Sequence, residues 1–434
     1  MKLEVDLISQ NIVKPSSPTP PHRHHYQLSF LDQIMIPLYV PWVFFYLDDD
    51  SKVDNREKCD RVKRSLSEAL ALFYPIAGRL VGNTHVECDD KGVHFIEAEA
   101  NCKILDFIEN PNCNEINKLL PFEIDDANVD SLAFVQVTYF ECGGMSVGLG
   151  LSHKLGDAMS SFMFLNTWAA ISRGGSNPIA PFFDSATHFP PINLHGFCPQ
   201  VVKDDIITKR FVFDACSIAS LREKYTEKDN IEHQIHRPTR VEALSTFIWS
   251  RFKAATEITG DAPKIYTLGH AVNLRPKMSP PSWQQYFGNI FVQQRVELPN
   301  MDDENEACVV TIKKMRKAIR NVDQDYVKKL RGDEHLNTML EGAERYIKGE
   351  TVCLNFTSWC RFQVYEVDFG WGKPVWVGSA RWPFHNLVTF LDTKKGDGIE
   401  AWIHLREEDM SKFEADHELN ALVSQNPNQE LVTV

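Results

Sequence analysis

The sequence predicts an α/β protein of the mixed-sheet α+β kind, and three observations carry that prediction. Alternating apolar segments and segments of helical periodicity interleave along the chain instead of falling into separate blocks. One of the clearest strand patterns, Met145 to Ser152, passes through a short turn into a helical pattern, Ala158 to Ser172. Residues 174 to 207 are rich in Gly, Pro, Asn and Asp and have little periodicity, which marks a linker between two parts. A length of 434 residues suits two domains or one duplicated fold.

The elements follow in order. Pro15 to Pro21 (PSSPTPP) is extended or turning, because each proline fixes φ and restrains the residue before it. The apolar run Ile34 to Leu47 is too short to span a bilayer and is broken by Pro37 and Pro41, so it reads as strand and core. Arg61 to Tyr74 has leucines and aromatics at helical spacing and stops at Pro75. His94 to Ala98 and Ala133 to Phe140 alternate like strands. In the helix after Met145–Ser152, Met159, Phe162, Met163, Leu165 and Trp168 gather near one face, with Asp157 where an N-cap belongs. Farther on, Lys209 to Phe213 reads as strand and Arg240 to Ala255 as helix. Thr311 to Tyr346 is charged and mostly helical.

Composition removes several function classes. The net charge is −13 and the pI near 5.6, with no Lys/Arg block, so there is no electrostatic footprint for nucleic acid or an anionic membrane. The ten cysteines show neither CxxC spacing nor a compact framework, which suits free thiols in a reducing compartment. The N-terminus lacks a basic region followed by an apolar stretch, so the expected location is cytoplasmic. There is no HExxH for a metal, no GxSxG elbow and no GxGxxG after a strand.

His153 and Asp157 form an HxxxD. With fifteen histidines in the chain, about one such spacing arises by accident, and His85–Asp89 supplies the comparison. That second pair runs into the polar turn CDDKG with no helix behind it and reads as surface. His153 instead ends an apolar strand, is followed by Gly156, and precedes an apolar helix. Two readings of it stand: a side chain held rigidly at a cleft, or a satisfied core histidine with Asp157 as a plain N-cap. A second motif, Asp368-Phe-Gly-Trp-Gly372, has two glycines around a tryptophan, which implies a tight turn or bulge. Its opening letters match the kinase DFG, but no HRD loop or glycine-rich phosphate loop accompanies it.

HxxxD in mid-chain followed by DFGWG, in a chain of this size, resembles the paired signature of the plant BAHD acyltransferases. LDQ at 31–33, FYPIAGRL at 73–80, FECGG at 140–144, AVNLR at 271–275 and GN at 288–289 also resemble that family, over nearly the whole chain. PSSPTP at 15–20, HFPP at 188–191 and SWCR at 358–361 resemble its alkaloid-modifying branch. The resemblance implies two similar-sized domains of the chloramphenicol-acetyltransferase kind with a channel between them. The first would span 1–180, with about 368–394 returning to it; a crossover loop would span 181–207, and the second domain 208–434.

The implied reaction is transfer of an acyl group, acetyl in the nearest branch, from acyl-CoA to the hydroxyl of an alkaloid or terpenoid. Acyl-CoA is then a cosubstrate and a small-molecule alcohol the other partner, with no bound cofactor, no metal, no nucleic acid and no membrane, in a monomer. A neutral imidazole is a natural base for a hydroxyl proton, and His153 takes that role, with direct attack on the thioester and no acyl-enzyme. Asp157 could orient His153 as in a catalytic triad; the resemblance implies instead that it pairs with Arg275. Thr357 and Trp359 are oxyanion candidates, although Trp359 reads equally as core. Thr239 and Ser245 are candidate CoA hydrogen-bond donors, and Lys209, Arg210 and Lys373 candidate charges for its phosphates. Asp368, Gly370, Trp371 and Gly372 read as a structural motif away from the chemistry. Cys142, Cys353 and Cys360 read as packing residues. Longer or branched acyl donors, sugar or amine acceptors, and a non-catalytic binding protein of the same fold are the alternatives. A carrier-dependent condensation domain would show a second histidine before the motif, where this chain has Ser152.

Overall fold

A computed structural model describes residues 2–48, 54–109, 111–126, 129–175, 180–194, 205–228, 235–257, 264–278, 281–298, 301, 303–330 and 332–424. Two six-stranded mixed sheets organise them. The first has the order Val5–Val13, Val93–Ala100, Ala133–Phe140, Met145–Ser152, Tyr39–Tyr46, Trp376–Gly378. The second has the order Phe291–Glu297, Ile265–Asn273, Thr351–Ser358, Leu387–Asp392, Ile399–Arg406, Ile206–Phe213. Parallel and antiparallel neighbours mix in both, as in Val93–Ala100 beside Ala133–Phe140 and Ile265–Asn273 beside Thr351–Ser358, which are parallel.

The apolar run read as strand and core is the strand Tyr39–Tyr46, buried at every position. A strand covered on both faces needs no alternation, which explains its continuous hydrophobicity. The helix expected over Arg61–Tyr74 begins earlier, at Asn55, capped by Asp54, and ends at Leu72. The charged region near the C-terminal half is three helices: Glu304–Asn321, Gln324–Lys329 and Gly332–Ile347.

The helix Ala158–Ser172 differs from its expected one-sided face. Phe164 is fully buried on the other side, and Met159 and Met163 are only partly buried. The helix is enclosed all round, which is the condition for a helix apolar on every face. Trp42 reaches it from the sheet, its Nε1 donating to Ser161 Oγ (3.0 Å). From the other side Trp168 Nε1 donates to the carbonyl of Val62 (3.2 Å) in the neighbouring helix.

The DFGWG segment packs against this same helix. Gly370 and Gly372 have φ of +111° and +107°, and both donate their N–H groups to Asp368 Oδ1 (2.7 and 3.0 Å). Only glycine takes that backbone without strain. The turn holds Phe369 on Trp168 (centroids 4.8 Å apart) and Trp371 edge-on to Tyr46 (5.9 Å). Trp371→Ala is expected to cost about 3 kcal/mol in unfolding free energy by opening a core cavity. Urea denaturation checks this, and the KM values of any activity should not move.

After this turn the chain adds Trp376–Gly378 to the edge of the first sheet, with Trp376 opposite Phe45. The return to the first sheet is shorter than the expected 368–394. Leu387–Asp392 is a strand of the second sheet, because Val388 and Phe390 bury in the second core. Of the segment 181–207, residues 195–204 lie outside the described residues. Phe182 bridges Tyr286, Ser185–His188 forms one helical turn, and the next strand starts at Ile206. A third, smaller apolar cluster joins Phe30, Leu31 and Ile34 to Val272, Leu274, Ile290 and Val292, with Phe189 from the linker. It clamps the two sheets together beside the cavity described next.

Candidate active site

The strand Met145–Ser152 is buried throughout and delivers its next residue, His153, to the inner end of the first sheet. The His153 N–H donates to the carbonyl of Leu38 (2.7 Å), and a tight turn brings the N–H groups of Leu155 and Gly156 to the carbonyl of Ser152. Asp157 then caps the following helix, its Oδ1 accepting from Ser160 N (2.8 Å). The histidine is therefore fixed between a strand end and a helix start, both buried.

His153 faces a cavity of about 380 Å³ between the two sheets. Ile34, Leu38, Met159, Phe291, Thr357, Trp359 and Trp382 are among its walls, and the lining is mainly apolar. The tautomer of His153 follows from its neighbour. Asn289 Nδ2 donates to Asp32 Oδ1 (2.9 Å) and to the backbone carbonyl of His153 (2.7 Å), so Asn289 Oδ1 is the end that faces His153 Nδ1 (3.0 Å). Nδ1 must carry the proton of that bond, which leaves Nε2 as the unprotonated nitrogen open to the cavity. Burial holds the imidazole below its ordinary 6.5, against the opposing pull of Asp157 and Asn289, so the ring is neutral at pH 7.

Asp157 points away from the imidazole. Its oxygens meet Arg275 Nη1 (2.8 Å) and Nη2 (3.1 Å), with side-chain exposures of 9% and 0% for the acid and the arginine. Burial alone would raise the Asp157 carboxyl; the Arg275 guanidinium outweighs it and holds the group below the ordinary carboxylate range. Arg275 also donates to Ser160 Oγ, the carbonyl of Gly288 and the carbonyl of Tyr286, and the Ile290 N–H donates to Asp157 (3.0 Å). The segment 288–290 is thus tied down on both sides of Asn289. Gly288 sits at φ +129°, a backbone that aims Asn289 inward and that other residues avoid.

Asp32 completes the chain from Asp32 through Asn289 to His153. It is fully buried, and burial raises its carboxyl to about 6 although Ser29 and Asn289 donate to it. Asp32 and Asn289 were visible in the sequence only inside LDQ and GN, with no role attached. Their signal is unreadable by spacing, because 257 residues separate the two hydrogen-bond partners.

Thr357 and Trp359 both line the cavity. Trp359 stacks against Trp42 (centroids 4.4 Å apart), so it is core on one side and wall on the other. The remaining expected contacts lie elsewhere. Thr239 caps the helix Arg240–Thr256, its Oγ1 accepting from Glu242 N (3.1 Å). Ser245 is 0% exposed, on the face of that helix that packs into the second core. Arg210 pairs with buried Glu400 (2.7 Å), Lys209 with Glu414, and Lys373 with Glu366 (2.7 Å). Asp368, Gly370, Trp371 and Gly372 are remote from the cavity, as is His85, which stacks on His25 (4.3 Å). Burial pushes the thiol of Cys360 up to about 12 and that of Cys353 up as well, so neither is a ready thiolate.

Among the described residues no cluster of three or more His, Cys, Asp or Glu side chains could hold a metal ion. No described helix is long and apolar enough to cross a membrane.

Comparison with known proteins agrees with this geometry. The profile of the transferase family matches residues 3–420. Stemmadenine O-acetyltransferase of Catharanthus roseus is 34% identical, over 96% of this chain and 97% of its own. Limonoid 21-O-acetyltransferase of Melia azedarach is 34% identical, over 98% and 99%. The crystal structure of vinorine synthase, an enzyme known from Rauvolfia serpentina, superimposes with a TM-score of 0.86 at 32% identity, over 98% of this chain and 100% of that one. Signature motifs, a two-sheet fold around a histidine-bearing cavity, and relatives matched end to end agree: the chain belongs to the transferase family, as one of the acyl-CoA-dependent acyltransferases of the BAHD type.

Proposed function

We propose that this enzyme transfers an acetyl group from acetyl-CoA to a hydroxyl of a plant specialised metabolite, an alkaloid or terpenoid alcohol, with His153 as general base. The observation that carries the mechanism is the Asn289 bond, which commits the proton to Nδ1 and leaves Nε2 basic at the cavity. Nε2 takes the hydroxyl proton as the oxygen attacks the thioester carbonyl, and the imidazolium then protonates the departing CoA thiolate. The thioester is already activated, so no acyl-enzyme is required. The developing oxyanion needs a preorganised donor. The Trp359 indole N–H and the Thr357 hydroxyl have no acceptor among the described residues and line the same cavity, which supports them for that task. The names of the relatives, acetyltransferases of stemmadenine and of limonoids, support both the acyl group and the acceptor class. The described cysteines carry free thiols, in keeping with action in the cytosol.

Free-thiol release from acetyl-CoA, with a panel of alkaloid and terpenoid alcohols, tests the proposal directly. Acceptor-dependent release supports it; release from longer acyl-CoAs alone rejects the acetyl assignment. The pH dependence is a separate check. Because burial depresses the imidazole, its neutral form prevails at pH 6.5 and above, and kcat/KM should fall on the acid side with a midpoint below 6.5. Protonation of Asp32 near pH 6 weakens the acceptor that orients Asn289 and falls within the same limb. An acid midpoint clearly above 6.5 would exclude a buried, neutral His153 as the base.

A further inference from the structure

On the second sheet, the residues facing the cavity form a graded row. Side chains alternate along a strand, so Phe291, Gln293 and Arg295 share the inward face of their strand. The central strand contributes only small side chains opposite two of them: Gly269 stands beside Arg295, and Ala271 beside Gln293. Asn355 flanks Gly269 on the third strand. Arg295, Gly269 and Asn355 therefore lie in one row across three strands, the outer two about 10 Å apart, twice the strand spacing, and the Gln293 and Asn355 side chains close over the glycine to floor a shallow trough between them.

The polar groups of the trough are oriented. Asn355 Oδ1 accepts from Gln293 Nε2 (3.1 Å) and from the Cys353 thiol (3.4 Å), which turns Asn355 Nδ2 outward as an unused donor. A Cβ at Gly269 would lie 2.5 Å from Asn355 Oδ1 and 2.7 Å from Gln293 Nε2, so only hydrogen fits beneath this bridge. Across the trough, no carboxylate lies within ion-pair distance of Arg295 among the described residues. The next acid on its strand face, Glu297, is held by Arg345 (3.3 Å). Among the described residues the charged side chains lining the cavity are Asp157 and Arg295, the latter at its solvent-exposed rim, and Asp157 is neutralised by Arg275. In a chain of net charge −13, the cavity thus carries, among the described residues, one uncompensated cation and no uncompensated anion.

We propose that this trough binds a carboxylate of the acceptor, between the Arg295 guanidinium and Asn355 Nδ2, while the hydroxyl to be acylated sits at His153. This deepens the acyltransferase reading and rests on it for the reacting end. Phe291, whose ring lies 6.0 Å from that of His153, and Arg295 are four residues apart, so the two functional groups of the acceptor are separated by a distance on the order of 13 Å. A protonated amine is disfavoured at this end, which favours those alkaloid or terpenoid alcohols that carry a carboxylate there. An anion here has a second source, the phosphates of CoA, and the test separates the two.

The probes are 10-hydroxydecanoate, its methyl ester and 10-aminodecanol, titrated calorimetrically into the full chain with and without CoA. The carboxylate is expected to bind about tenfold tighter than the ester, and the amine weakest. Arg295→Gln should erase the acid-over-ester preference and Arg295→Lys retain part of it, with CoA affinity unchanged in both. Equal binding of acid and ester, or binding of none of the probes, overturns the proposal. So does an Arg295→Gln variant that loses CoA affinity instead, which would give the guanidinium to the phosphates. Failure of thiol release from acetyl-CoA, with the acid preference intact, would reject the proposed acetyl transfer and leave the carboxylate site standing.

Discussion

His153→Ala is expected to lower acceptor-dependent thiol release from acetyl-CoA by a factor of about 10²–10⁴, the range spanned by loss of a positioned general base. The folded state should tolerate the change. The ring makes one side-chain hydrogen bond, to Asn289, and faces a cavity, so about 1 kcal/mol of stability is at stake. Calorimetry should show CoA binding retained, which separates loss of chemistry from loss of cosubstrate. Asn289→Ala provides the graded control. It frees Nδ1 and lets the imidazole choose either tautomer, so kcat should fall by less than in His153→Ala while KM stays near its original value. Thiol release that persists at the original rate in His153→Ala would mean another group takes the proton, and the assignment of the base would fail.

Arg275→Ala is expected to be the most damaging single change to stability, about 3–5 kcal/mol, because it strands the Asp157 carboxylate in a buried site. For a protein of this size that corresponds to a melting temperature lower by on the order of 10 °C. The same substitution also removes the donors that hold the carbonyls of Gly288 and Tyr286, so the segment carrying Asn289 loosens and activity falls as well. Replacing both partners, as in Asp157→Asn with Arg275→Met, should be less harmful than Arg275→Ala alone, since no unpaired charge remains. Equal destabilisation in the single and double variants would show that the arginine stabilises through its backbone contacts and not through the ion pair.

The sequence by itself determined a good deal. The run from Met145 through HKLGD to Ser172 is strand, turn and helix because its local pattern allows little else, and Asp157 caps that helix as its position implies. The two glycines of DFGWG likewise announce positive φ in advance, and both have it. What the local pattern left open were the relations that cross the chain, of which the family resemblance supplied the Asp157–Arg275 pairing. HxxxD alone fits an Asp157 that orients His153 and an Asp157 that turns from it. The geometry is decided by Arg275, 118 residues away, whose guanidinium holds the carboxylate. The orientation of His153 comes from Asn289 and Asp32, and the proposed anion-binding trough from Arg295, Gly269 and Asn355 on three separate strands. Ser245 shows the converse: its hydroxyl suits a ligand on paper, and packing of its helix buries it. Local periodicity and turn chemistry are properties of neighbouring residues and can be read in order. Buried charges, tautomers and cavity walls are set by partners that only tertiary packing brings within a few ångströms.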